Sequence, residues 1–547
     1  MIGVYMSNGQ RSFVKGAAIL GAAGLIVKFI GAIFRIPLTN IIGADGMANY
    51  QVAYPIYAAL VVISTAGLPA AISKLVSERV TLGDYRGAHK VFQTAFKLLL
   101  VIGVASTLVM LALSGVLANA AKIPSARLSL IMIAPSLFFV SILSAYRGYF
   151  QGLQMMSPTA TTQLIEQVVK LGAGLYMAWL WLPKGVEFGA AGALLGVSIS
   201  EICALAVIIL LYNRRKRQIK KRRRQSVRIT SQSKHSMIKD LLYTAIPITL
   251  GACLMPIVNF LDTLIVTNTM SSIDYSAFNP LTPKTSFGVL TGSVNPLINM
   301  PAVLSLALCM SLVPAISEAR AQKSQLLVST RSAMGFKLSI LIGLPCAVGM
   351  YLLAGPIISL LYSSGLEPNE IMIGTQLLQT LSIGVLFLTL LQTMTGVLQG
   401  AGHPTIPLVN LAIGAVVKVI ISIVLIRVPS VNINGAALGT AACYGIAALL
   451  NLAYVIKITK PSIKPITGVL MPLVSTAAMG TVVYFMYNSI SPSLGSTKAA
   501  ILCIAAAILI YIVMLFVSRS ITKEDMEFIP GGGRVTRLMN KLGFWED

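Results

Sequence analysis

Seven ionisable side chains fall inside apolar stretches of the chain: Lys28, Arg35, Glu166, Lys170, Glu201, Asp262 and Lys418. Charge at membrane depth is costly and by default marks function. Lys28 and Arg35 are seven residues apart, which on a helix places them on one face about 10 Å apart along the axis. Two cations so arranged suit an anionic ligand, and the arginine fork matches phosphate oxygens. The plain alternative is that Lys28 snorkels to the interface and Arg35 pairs locally. Glu166 and Lys170 stand in the favourable i, i+4 order for an intrahelical ion pair. Lys418 has Gly414 at i−4, so its partner has to come from a ligand or another helix. Asp262 and Glu201 suit either of two tasks, holding a coupling cation or balancing the lysines.

The elements that carry these residues follow from composition. The 547 residues are 56% hydrophobic and 11% charged, against about 25% charged in soluble domains. A water-soluble enzyme, a disordered chain and a secreted disulfide scaffold are all excluded. Runs of about 20 apolar residues read as spanning helices. Fourteen are found, at approximately 15–40, 50–77, 91–117, 128–152, 158–182, 189–212, 241–270, 285–316, 333–354, 371–398, 405–427, 434–456, 466–488 and 498–518. The first is not a removable signal: it is long, holds Lys28 and Arg35, and no clean cleavage site follows.

The net charge of +25 sorts by side. With the N-terminus inside, about +23 falls on the cytoplasmic loops and about +1 outside, the asymmetry that orients spanning helices. The expectation is a multi-pass plasma-membrane protein with both termini cytoplasmic. The basic run from Arg214 to Lys239 reads as a cytoplasmic anchor that attracts anionic lipid, not as a nucleic-acid surface. In the tail, Val535, Leu538, Met539 and Leu542 at helical spacing read as an amphipathic helix on the inner leaflet.

An internal repeat sets the architecture. Tyr149-Phe150-Gln151-Gly152 with Val168-Val169-Lys170 matches Val397-Leu398-Gln399-Gly400 with Val416-Val417-Lys418. Gly192-Ala193-Leu194-Leu195-Gly196 matches Gly435-Ala436-Ala437-Leu438-Gly439, and Pro69-Ala70-Ala71-Ile72-Ser73 matches Pro314-Ala315-Ile316-Ser317. The offsets are about 243 to 248 in one order, the signature of duplication. Six spans per copy is even, so the lobes should be related by a pseudo-twofold along the membrane normal, around a central cavity. The expected fold is all-α and integral to the membrane. Its parts are an N-terminal lobe (1–212), a basic linker (213–239), a C-terminal lobe (240–457), two added helices (458–519) and a cytoplasmic tail (520–547). This is the layout of an alternating-access carrier.

Catalytic signatures are absent. There is no G-x-x-x-x-G-K-[ST] loop, His89, His235 and His403 join no triad or H-E-x-x-H, and the six cysteines lack metal-ligand spacing. No enzyme activity, catalytic residue, metal or cofactor is expected.

Lys28-Phe29-Ile30-Gly31 through Arg35 to Ile42-Gly43-Ala44-Asp45-Gly46 resembles the opening motif of the multidrug/oligosaccharidyl-lipid/polysaccharide exporter superfamily. Gly67-Leu68-Pro69-Ala70-Ala71-Ile72-Ser73, Leu261-Asp262-Thr263 and Leu398-Gln399-Gly400-Ala401-Gly402 narrow the resemblance to its Gram-positive SpoVB/YtgP branch, related to MurJ-type lipid II flippases. The resemblance covers about residues 12–520. It implies a flippase moving an undecaprenyl-diphosphate-linked peptidoglycan precursor from inner to outer leaflet, for cell-wall biogenesis, cell shape or sporulation. It also implies contacts with cell-wall synthesis proteins, cationic span-1 residues lining the cavity, and a lipid groove at spans 13–14. Where better-known members carry an acidic residue in span 2 and an arginine in span 8, this chain has Asn49-Tyr50 and Asn295-Pro296. Diphosphate recognition is therefore expected from Lys28, Arg35 and Lys418 with the amides Asn295 and Asn299. A diphosphate moved outward across 100 mV gains about 4–5 kcal/mol, so membrane potential or an H+ or Na+ gradient could drive the cycle. Three alternatives stay open: a flippase for another polyprenyl-linked glycan, a cation-coupled multidrug exporter, and a non-transporting scaffold for wall or spore assembly.

Overall fold

The computed structural model describes residues 8–227, 233–518 and 520, with side chains left undescribed for 8–19 and 222. The expected tail helix lies outside these residues. The described chain is helical throughout and contains no strand. In order it forms α1 (Asn8–Val62), a π-helical turn (Ile63–Gly67), α2 (Leu68–Thr81), α3 (Tyr85–Ala120), α4 (Ala126–Gly152), α5 (Ser157–Trp181) and α6 (Val186–Arg224). Then follow α7 (Lys234–Met270), α8 (Pro283–Val289), a second π turn (Leu290–Val294), α9 (Asn295–Ala321), α10 (Gln325–Leu352), α11 (Ala354–Tyr362) and α12 (Pro368–Gly400). The chain closes with α13 (Thr405–Ile426), α14 (Asn434–Thr459), a third π turn (Ile466–Leu470), α15 (Met471–Leu494) and α16 (Ser496–Val517).

Among the described residues, twelve segments are long and apolar enough to cross a membrane, and the protein is a multi-pass membrane protein. The first such segment, Leu20–Thr81, runs 62 residues and turns at Gly43, whose φ of 66° and ψ of −176° suit a residue without Cβ. It therefore supplies two of the expected spans. α5, with Glu166 and Lys170, is a 25-residue helix outside that set. Each of the fourteen expected spans thus has its helix. Pro296 sits in the first turn of α9, where no N–H is needed, and the helix continues through Pro301 and Pro314 inside it.

The repeat is visible in the packing. α3 packs on α4, α4 on α6 and α5 on α6; likewise α10 packs on α12, α12 on α14 and α13 on α14. Small residues close these pairs: Gly192 and Gly196 sit against the α5 backbone, and Gly435 and Gly439 against that of α13.

The compact units do not divide at the basic linker. One comprises Met1–Ser272, Thr282–Gly292 and Ser364–Leu366, the other Ile273–Leu281, Ser293–Ser363 and Glu367–Asp547. α7, expected to open the second lobe, packs into the first unit. Its Met237, Leu241 and Ala245 join one buried cluster with Leu68, Ile72 and Val76. The contact depends on Gly67, where a Cβ would collide with the Ala245 carbonyl. The basic run is also not simply a loop, because α6 continues as helix through Arg224. In the second unit, α15 and α16 pack on α10, where the Tyr511 hydroxyl donates to the Leu341 carbonyl at 2.9 Å.

Candidate functional site

In the first unit, α1 and α5 bring two cations to one aromatic ring. The Arg35 guanidinium lies 6.0 Å from the Tyr54 ring centroid, and the Lys170 ammonium lies 5.0 Å from the same ring and 5.6 Å from that of Phe34. Tyr54 stacks on Tyr50 at 5.5 Å and meets Tyr57 at 6.0 Å. An aromatic face stabilises a nearby cation through its quadrupole, which lets Lys170 be buried at 9% exposure without a carboxylate against it.

The intrahelical pair expected between Glu166 and Lys170 does not form. Glu166 Oε2 instead accepts from Arg147 Nη2 of α4 at 3.0 Å, and Arg147 Nε donates to Thr162 at 3.1 Å. An arginine offering several donors at once outcompetes a lysine one turn away. Arg147 is thus a structural clamp between α4 and α5.

Lys28 is exposed, between the exposed Ile26 and Phe29, whereas Arg35 is half-buried. The cation that shares the Tyr54 ring with Arg35 comes from α5. Glu201 on α6 is 2% exposed, with the Tyr57 hydroxyl beside its carboxyl and its Oε2 without a hydrogen-bond partner. Asp262 is half-buried on α7.

The other expected residues belong to the second unit. Lys418 is buried on α13 at 7% exposure, in the repeat position of Lys170. Asn295 is half-buried at the start of α9, and Asn299 is exposed. The Asn299 amide already donates to the Asn295 carbonyl at 2.8 Å, which occupies one of its two amide hydrogens. Sequence reasoning overlooked Tyr54, Tyr57 and Arg147. The tyrosines had left a signal, since positions 50, 54 and 57 share one helical face.

The chemistry available to Arg35 and Lys170 is anion binding. The guanidinium offers a planar fork and the ammonium a compact charge with three donors, and the nearest acid, Glu166, is held by Arg147. No group there is arranged as nucleophile and base.

Comparison with known proteins agrees with the all-helical membrane fold. The model of the family described as "Polysaccharide biosynthesis protein" matches residues 13–320, and that described as "MatE" matches residues 247–424. Stage V sporulation protein B of Bacillus subtilis (strain 168) is 28% identical over 533 residues, covering 96% of this chain and 99% of its own. Lipid II flippase MurJ of the same organism is 28% identical over 454 residues, covering 81% and 82%. The solved structure described as "Lipid II flippase MurJ, inward closed conformation" shares the fold with a TM-score of 0.65 at 16% identity, covering 91% of this chain and 98% of that one. With more than half of its length matched by the family model, the chain belongs to the polysaccharide biosynthesis protein family.

Proposed function

We propose that the chain is a flippase that carries a polyprenyl-diphosphate-linked glycan, in the leading reading lipid II, from the inner to the outer leaflet by alternating access. The convergence of Arg35 and Lys170 on Tyr54 carries the reading. Two cations on an aromatic ring form a receptor for a dianionic phosphate group, and an exporter of cationic drugs would need the opposite charge. Both termini are assigned to the cytoplasm, from the charge asymmetry of the loops. Membrane potential is the assigned driving force, with Glu201 or Asp262 as a cation-coupling group.

The test is a leaflet-access assay of labelled lipid II in cells depleted of this protein and lacking any redundant flippase. Loss of outward lipid II is expected, restored by the wild-type chain and not by Arg35→Gln. Unchanged outward lipid II would end the lipid II reading.

A second reading is kept because the alignment with Stage V sporulation protein B spans nearly both chains, while that with the lipid II flippase spans about four fifths. Under it the cargo is another polyprenyl-linked glycan. Normal lipid II access together with trapping of a different lipid-linked sugar inside would favour it.

A further inference from the structure

At the basic end of the first unit, α3, α4, α6 and α7 enclose an open cavity of about 710 Å³. Lys90 and Lys97 line it from α3, seven residues apart and so on one helical face about 10 Å apart, and Lys234 lines it from α7. Lys97 and Lys234 are exposed, and Lys90 is half-buried. The described lining contains no carboxylate. His89 also lines the cavity; it is 6% exposed, and its Nδ1 has no hydrogen-bond partner. Burial first, and the positive charge of Arg223 second, lower this imidazole to about 4, so at neutral pH it is uncharged and offers a ligand an N–H and no charge.

The floor is aromatic. Phe92 meets Tyr146 at 5.2 Å and Tyr212 at 5.8 Å, and the two tyrosines meet edge-on at 5.4 Å. Further along α3 the lining turns aliphatic at Val101, which is 63% exposed, and the same helix goes on to expose Val104 and Leu108. The cavity therefore grades from cationic to apolar along one helix. A soluble phosphate would use only the first part of that gradient, whereas a phospholipid would use both.

We infer that this cavity holds an anionic phospholipid, its phosphate among Lys90, Lys97, Lys234 and His89, and its acyl chains along the aromatic floor and the outer face of α3. The site involves neither Arg35 nor Lys170 and stands independently of the transported cargo.

The experiment is native mass spectrometry of the purified full-length protein titrated with phosphatidylglycerol, phosphatidylcholine or inorganic phosphate. Phosphatidylglycerol should be retained selectively over both others. The Lys90→Gln/Lys97→Gln/Lys234→Gln variant should bind it about a hundredfold more weakly, at roughly one kcal/mol per cation. An equal charge removal from the exposed end of α6, Lys216→Gln/Lys220→Gln/Lys221→Gln, should have a distinctly smaller effect. Should the triple cavity variant not fold, the exposed Lys97→Gln alone is expected to weaken binding about fivefold. Equal losses from both triple variants would reduce the effect to a diffuse basic surface and overturn the proposal. So would phosphatidylcholine or inorganic phosphate binding as tightly as phosphatidylglycerol, or an unchanged Lys97→Gln.

Discussion

Arg147 holds Glu166 across the α4–α5 boundary at 3.0 Å, their side chains 12% and 19% exposed. The acid that sequence spacing assigned to Lys170 is thereby turned away from it. A hydrogen-bonded, largely buried ion pair of this kind should show a coupling of about 1–3 kcal/mol in a double-mutant cycle. Glu166→Gln and Arg147→Gln, singly and together, can be followed by equilibrium unfolding in mixed micelles. The parallel cycle of Glu166 with Lys170 should give a coupling near zero. A larger coupling for Glu166–Lys170 would mean that the pairing expected from sequence prevails in the membrane.

The same arrangement ranks the cations in transport. Lys170→Gln and Arg35→Gln each remove a charge-assisted contact to phosphate, worth about tenfold or more in rate. Lys28→Gln removes an exposed charge and should change the rate by about twofold at most. Flipping of a labelled polyprenyl-diphosphate lipid in proteoliposomes measures all three. A Lys28 variant as impaired as the Lys170 variant would restore the span-1 pair as the binding element.

How legible this was from sequence depends on the range of the interaction. Helical stretches rest on local hydropathy, so each expected span fell on a helix, and the match of Val168-Val169-Lys170 with Val416-Val417-Lys418 pointed to the duplicated α5 and α13. Which helix face meets which is a long-range matter. The i, i+4 rule named Lys170 as the partner of Glu166 because it knows only one helix, whereas Arg147 arrives from another nineteen residues upstream. Likewise the linker suggested a division before α7, but packing at Gly67 assigned α7 to the first unit.

Close packing gives a prediction with opposite signs at two glycines. A Cβ at Gly288 of α8 would collide with the Ala44 carbonyl, immediately after the turn at Gly43, where Thr39 donates to the Gly292 carbonyl at 3.1 Å. Gly288→Ala should cost about 1–3 kcal/mol through overpacking. At Gly172 in α5 a Cβ would meet nothing within 4 Å, so Gly172→Ala should stabilise by about 0.4–1 kcal/mol through the unfolded chain. Thermal melts of the purified variants should move in opposite directions, and a neutral Gly288→Ala would show that α1 and α8 yield to each other freely.

Glu201 separates coupling from charge balance. Its carboxyl is 2% exposed, has Tyr57 beside it and leaves Oε2 without a hydrogen-bond partner. A buried oxygen left unsatisfied is costly unless a proton or metal cation takes the place. Glu201→Gln keeps the shape and removes the ability to exchange that cation. In proteoliposomes with an imposed potential, Glu201→Gln should still translocate cargo, because the diphosphate charge alone responds to the field. It should lose any acceleration produced by an added proton or sodium gradient, whereas Asp262→Asn, on a half-buried residue of α7, should retain it. A gradient response identical in wild type and Glu201→Gln would leave Glu201 only the task of balancing Arg147 and Lys170. In that case the variant should be less stable while its transport stays unchanged.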